Sequence, residues 1–182
     1  MDATAPDDRA LLVAWSGGDK SAGEEVMRRF FPLLWRYFRN KVDHETDDLI
    51  QATLAACVRH RERLAESTNV RAYLLTIARH ELYGHLRRRP DFDPLTHSVA
   101  AEQTSPSSLA AHRDAKQRLR QALRALPCVL QEAVELQLDE DLSGPELAEV
   151  LEVPEGTVRS RLRRAREILT VQLGDHAPKL RD

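Results

Sequence analysis

Five arginines fall close together near the C-terminal end of the chain, at Arg159, Arg161, Arg163, Arg164 and Arg166. A guanidinium is a planar fork of donors that pairs bidentately with a phosphate or with the edge of a guanine, so such a cluster points to nucleic-acid recognition. A second basic cluster, Arg79, Arg87, Arg88 and Arg89, is interleaved with His80 and Tyr83. Between the two clusters the charge reverses. Segment 139–155 holds Asp139, Glu140, Asp141, Glu146, Glu149, Glu152 and Glu155 with no basic residue among them. An acid-to-base switch of this length predicts a polarised domain with one face turned to phosphate. Competing chemistry is missing from the sequence. There is no glycine-rich phosphate loop, no nucleophile elbow and no metal-ligand spacing among the seven histidines and two cysteines. No catalytic residue, metal or cofactor is therefore expected, and the chain is not expected to be an enzyme.

The elements that hold these clusters are helices. Only 5% of the 182 residues are aromatic and glycine occurs 7 times, while leucine, alanine, arginine and glutamate abound. Charged residues reach 31% against 42% hydrophobic, which favours two small helical domains over one large core. Helices are predicted near Arg9–Trp15 and Ser21–Val42, with Pro32 a possible kink, and from Thr46 or Asp47 to Arg63. Ala65–Asn69 is expected to be a loop. The next helix, Val70 to Arg88, places Leu74, Ile77, Ala78, Leu82 and Leu86 on an apolar side and ends before Pro90. After residue 113 come helices at Asp114–Ala125, Pro127–Leu138, Ser143–Leu151 and Glu155–Leu173. Ser143 and Glu146 form a capping box, and Val153-Pro154 makes a tight turn. Short helix, turn and longer basic helix is the helix-turn-helix order. On the last helix Val158, Leu162, Ala165 and Leu169 share the buried side, which leaves Arg159, Ser160, Arg163 and Arg164 outward near its start.

Residues 90–112 carry Pro90, Pro94 and Pro106 among several serines and threonines, the composition of a flexible linker. The expected fold is all-α, with a domain at 1–89, a linker at 90–112 and a helix-turn-helix domain at 113–182. The linker should leave the two domains at a variable separation. Cys57 and Cys128 are expected to be buried and unpaired. The acidic N-terminus lacks the pattern of a signal peptide and no apolar run is long enough to span a bilayer, so a cytoplasmic location is expected.

The strings themselves resemble a known family. Gly156-Thr-Val-Arg-Ser-Arg-Leu-Arg-Arg-Ala-Arg-Glu-Ile-Leu169, preceded by Pro145-Glu-Leu-Ala-Glu-Val-Leu151, is similar to region 4 of the extracytoplasmic-function (ECF) sigma factors. Leu126-Pro127 is that region's usual entry. Asp47-Asp48-Leu49-Ile50-Gln51 resembles the polymerase-binding helix of region 2. Ala72-Tyr-Leu-Leu-Thr-Ile-Ala-Arg79 followed by Leu86-Arg87-Arg88-Arg89 resembles its promoter-melting helix. The resemblance implies a sigma factor that binds core RNA polymerase and directs promoter-specific initiation. Asp47, Asp48, Leu49 and Gln51 would meet the polymerase. Arg79, His80, Tyr83, Arg87 and Arg88 would meet the minus-ten strand, with the rings of His80 and Tyr83 as stacking surfaces and the arginines at phosphates, and Arg159, Ser160, Arg163 and Arg164 would meet the minus-thirty-five duplex. It also implies an anti-sigma factor as a further partner. The chain departs from the family's habits mildly at Tyr73, at Ala52, which bears on the polymerase contact, and at His80 and Gly84, which bear on the minus-ten preference. Two alternatives are a two-domain DNA-binding regulator and a sigma-like decoy that occupies an anti-sigma factor.

Overall fold

Asp19 opens the longest helix of the N-terminal part by accepting hydrogen bonds from the backbone N–H groups of Ser21 and Ala22. The structure, a computed structural model, describes residues 7–99 and 115–181. In it α1 (Asp8–Ser16) turns through Gly17 and Gly18 into α2 (Lys20–Phe38). Gly18 takes φ 101°, a left-handed conformation that needs glycine. α2 runs through Pro32 unbroken. It crosses α1 at Gly23, where a methyl group would lie 2.4 Å from Nε1 of the buried Trp15. Gly23→Ala should therefore destabilise the protein: the helix-propensity gain of about 1 kcal/mol is outweighed by an overpacking cost of about 1–3 kcal/mol. A lower urea midpoint with an unchanged slope is the expected result.

α3 (Thr46–Arg59) ends earlier than the sequence suggests. The chain bends at His60 and restarts as α4 (Arg61–Glu66), because Leu64 must turn into the core and α4 packs against α1. Asn69 caps α5 (Val70–Leu86) by accepting from the Ala72 N–H. The predicted residues Leu74, Ile77, Ala78, Leu82 and Leu86 are buried along it. In the C-terminal part α6 (Ala115–Arg124) leads to α7 (Cys128–Glu140), α8 (Gly144–Leu151) and α9 (Glu155–Leu173), followed by a 3-10 turn at Gly174–His176. The Ser143–Glu146 capping box is present, with Oε2 of Glu146 accepting from both Ser143 N and Oγ. Val158, Leu162, Ala165 and Leu169 are the buried residues of α9, as their spacing requires.

The all-α architecture agrees with the sequence. The variable separation of its two parts does not: they pack into one contiguous apolar cluster, with α5 against α8 and α2 against α7. The reason lies in α7, whose Gln131, Glu132, Glu135 and Glu140 are buried against polar groups of α2 and α5 instead of facing water. Of the linker, residues 90–99 form turns, and residues 100–112 lie outside the described residues. The described stretch is tied down at both ends. The carbonyls of Pro94 and His97 accept from Val129 N and Cys128 N, so the linker satisfies the first turn of α7, where Pro127 has no side-chain cap to offer. Phe92 packs edge-on against Tyr83 and His97. Both cysteines are buried and neither is held in a disulfide, and burial pushes the Cys57 thiol up to about 12. Among the described residues no helix is long and apolar enough to cross a membrane.

Candidate nucleic-acid interface

α9 presents its arginines in two ways. Arg159, Arg163 and Arg164 are exposed, together with Ser160, on the side opposite the buried Val158–Leu169 stripe. Arg164 is steadied by Glu167 one turn on, at 3.0 Å. Among the described residues Arg159 and Arg163 form no ion pair, so their donors point at solvent. The Ser160 hydroxyl donates to the Thr157 carbonyl and leaves its lone pairs free to accept. Arg166 turns inward and donates to the Leu180 carbonyl at 2.6 Å, and Arg161 is partly buried. The turn that sets α9 at its angle depends on Glu152, which closes α8 in a left-handed conformation at φ 53° before Val153 and Pro154.

The second basic cluster is arranged differently. Arg87 and Arg88 are exposed at the end of α5, but Arg79, His80 and Tyr83 are engaged by the C-terminal part. Glu132 of α7 accepts from Tyr37 Oη at 2.5 Å, Tyr83 Oη at 3.2 Å and Arg79 Nε at 3.4 Å. Burial, reinforced by that carboxylate, holds both tyrosine hydroxyls far above their usual range, so they remain donors. The Arg79 guanidinium also lies over the Tyr83 ring. Glu152 pairs with Arg79 Nη1 at 2.8 Å and His80 Nε2 at 2.9 Å, and the His80 contact lowers the Glu152 carboxyl. The expectation that Tyr83 offers an open stacking surface is thus corrected for this conformation: its ring is buried between Phe92 and the Glu132 cluster.

The seam continues along α2. Lys41 and Glu135 form an ion pair at 2.5 Å with both side chains about 5% exposed or less. Glu140 takes a bidentate contact from Arg36 at 2.8 and 3.0 Å and a further one from Arg71. Glu146 accepts from Asn69, and Gln131 donates to the Asn40 carbonyl. Much of the acidic segment that the sequence suggested as one side of a polarised domain therefore docks on the base-rich side of the other part. Sequence reasoning missed Glu132 and Glu135 because polar residues spaced three and four apart on a helix ordinarily read as a solvated face.

On α3, Asp47, Asp48 and Gln51 are exposed and Asp47 and Asp48 occupy the first turn. Leu49 requires a correction. It is buried in the core against the neighbouring helices, which leaves Asp47, Asp48 and Gln51 as the accessible residues of this stretch.

Comparison with known proteins places these surfaces in a family. Residues 24–90 match Sigma-70 region 2, and residues 116–169 match Sigma-70, region 4. The chain is 28% identical to the ECF RNA polymerase sigma factor SigC of Mycobacterium tuberculosis, over 93% of this chain and 94% of that one. It is 24% identical to SigW of Bacillus subtilis, over 87% and 92%. The sigma factor RpoE of Bartonella quintana, solved with the anti-sigma factor NepR, superposes with a TM-score of 0.65 at 26% identity, over 82% of this chain and 95% of that one. CnrH, solved with the cytosolic domain of CnrY, shares the fold with a TM-score of 0.67 at 22% identity. With both regions present in order and each basic cluster carried on the helix its region supplies, the chain belongs to the extracytoplasmic-function sigma factors of bacterial RNA polymerase.

Proposed function

We propose that this chain binds core RNA polymerase in the cytoplasm through the exposed start of α3 and delivers it to promoters with two DNA-reading surfaces. The part at 1–89 acts as region 2, with Asp47, Asp48 and Gln51 toward the polymerase and Arg79, His80, Tyr83, Arg87 and Arg88 toward the minus-ten strand. The part at 113–182 acts as region 4, with Arg159, Ser160, Arg163 and Arg164 in the major groove of the minus-thirty-five element. The observation that carries this is the exposed arginine face at the start of α9, set on a helix-turn-helix whose apolar side is fully buried. The reaction chemistry of transcription belongs to the polymerase, and no catalytic role is assigned to the chain itself. An anti-sigma factor is a further partner by analogy with the two solved relatives, each of which is held by another protein.

The seam adds a step. Carboxylates of α7 and Glu152 occupy the same donors that a nucleic-acid strand would need at Arg79, His80 and Tyr83. The closed arrangement and the DNA-bound arrangement of region 2 are mutually exclusive, so the two parts separate before initiation. The test is in vitro: the purified chain should co-purify with core polymerase and yield run-off transcripts from the chromosomal segment upstream of its own gene. A folded chain that fails to associate with core enzyme at low salt overturns the proposal.

A further inference from the structure

The segment after α9 folds back over the helix-turn-helix instead of trailing away. Leu180 is buried in the core cluster. Its carbonyl accepts from Arg166 at 2.6 Å. The next peptide is gripped on both sides by one buried side chain: Gln137 Nε2 of α7 donates to the Arg181 carbonyl at 3.1 Å, and Gln137 Oε1 accepts from Arg181 N at 3.0 Å. A buried amide whose donor and acceptor are both spent on one backbone unit fixes that unit in place. The result is an arginine held at a set position, more than ten residues beyond the part of the chain that matches region 4.

That position is informative. The Arg181 side chain is mostly exposed and reaches Asp141, in the turn before α8, at 2.5 Å. A recess of about 300 Å³ opens there, lined by Ser143, Gly144 and Pro145 at the start of α8, by Val158 and Arg159 at the start of α9, and by Arg181. In a helix-turn-helix the second helix enters the major groove and the first crosses the sugar–phosphate backbone, so a recess between their two beginnings faces the phosphates flanking the reading site. Arg159 and Arg181 both line it, two cations against the single acid that α9 contributes, Glu155.

We infer that Arg181 is a phosphate contact of region 4, an extra cation delivered to the flank of the minus-thirty-five element by a C-terminal strap clamped on Gln137. This rests on the region 4 role proposed above. The contact is indifferent to sequence, because a phosphate carries no base information. It shares the duplex with the base-reading arginines and fixes the register at which they meet it. In the absence of DNA Asp141 holds the guanidinium as a stand-in for the phosphate.

The experiment uses the full chain and two fluorescein-labelled duplexes, one with the promoter recovered in the run-off assay and one scrambled, titrated at several salt concentrations. Arg181→Ala should weaken binding to both duplexes alike, by about three- to tenfold near physiological salt, and lower the slope of log affinity against log salt by about one unit. Asp141→Asn keeps a residue that tolerates the left-handed backbone at φ 55° and removes the competing charge. It should leave affinity unchanged or raised. Wild-type binding and slope in Arg181→Ala overturn the inference. So does a loss in Asp141→Asn that equals the loss in Arg181→Ala, since that result means the pair only ties down the strap. Arg159→Ala separates the two levels of the argument. If it loses binding while Arg181→Ala does not, the strap contact is wrong and region 4 still reads DNA; if neither variant loses binding, both fall.

Discussion

Replacing Glu132 with lysine should open the seam between the two parts of the protein and raise affinity for single-stranded minus-ten DNA. Glu132 is buried and accepts from Tyr37, Tyr83 and Arg79. A lysine there puts two cations together in a site built around one carboxylate and strands two phenol donors. Breaking a buried pair from one side costs about 3–5 kcal/mol. In this structure the cost is avoidable by separation, because the partners of Glu132 (Tyr37, Tyr83 and Arg79) all belong to the N-terminal part. The closed state is also less than fully satisfied. Among the described residues Asn40 Oδ1 and Gln131 Oε1 are buried without a partner, and each such group costs about 1–3 kcal/mol. The carboxylates and guanidiniums of the seam regain water on opening, which offsets part of the apolar packing of α5 against α8 that is lost. The expected result is a larger radius of gyration by small-angle scattering, unchanged helical circular dichroism, and tighter binding to a labelled non-template oligonucleotide. Glu140→Lys should act in the same direction more weakly, because its partners Arg36 and Arg71 are already partly exposed. A Glu132→Lys protein that keeps the wild-type dimensions and oligonucleotide affinity would remove the idea that the seam masks region 2.

How far the sequence speaks to this can be followed residue by residue. The stripe Val158, Leu162, Ala165 and Leu169 is a 3.6-residue period, and that period alone separates the buried from the exposed side of α9. The capping box at Ser143–Glu146 was equally plain, because it depends only on residues three apart. Leu49 went astray because it was carried along with a motif, although its period with Ile50, Thr53, Ala56 and Cys57 sets it in the core. The seam was out of reach for a different reason. Lys41 and Glu135 are 94 residues apart, and Tyr37 and Glu132 are 95. No local rule links such pairs, and a glutamate that is solvated has the same sequence signature as one that meets a lysine across a domain boundary. The linker was half legible. Its prolines mark an irregular segment, but the service of the Pro94 and His97 carbonyls to α7 follows from the packing and leaves no trace in composition.

Arg163→Ala and Arg164→Ala should each weaken binding to the cognate minus-thirty-five duplex by about 1–3 kcal/mol, and for at least one of the two the loss on scrambled DNA should be much smaller. Both side chains leave the exposed side of α9 within three turns of its start, where a helix lying in the major groove meets base edges. Arg163 forms no ion pair among the described residues and is free to bring its whole fork to a guanine. Arg164 is held by Glu167 and gives up that contact on binding, a surface pair worth under about 1 kcal/mol. Its net contribution should therefore be the smaller, and Arg163 is the stronger candidate for base reading. Glu167→Gln supplies the complementary check. If Arg164 reaches DNA, freeing it from Glu167 should strengthen binding slightly, and combining Glu167→Gln with Arg164→Ala should abolish that gain. Neither arginine is part of the core, so thermal stability should stay within about 0.5 kcal/mol of wild type. Equal losses on cognate and scrambled duplexes for both variants would assign the pair to phosphates. Specificity at minus thirty-five would then rest on Arg159 and Ser160, the two exposed residues one turn closer to the start of the helix.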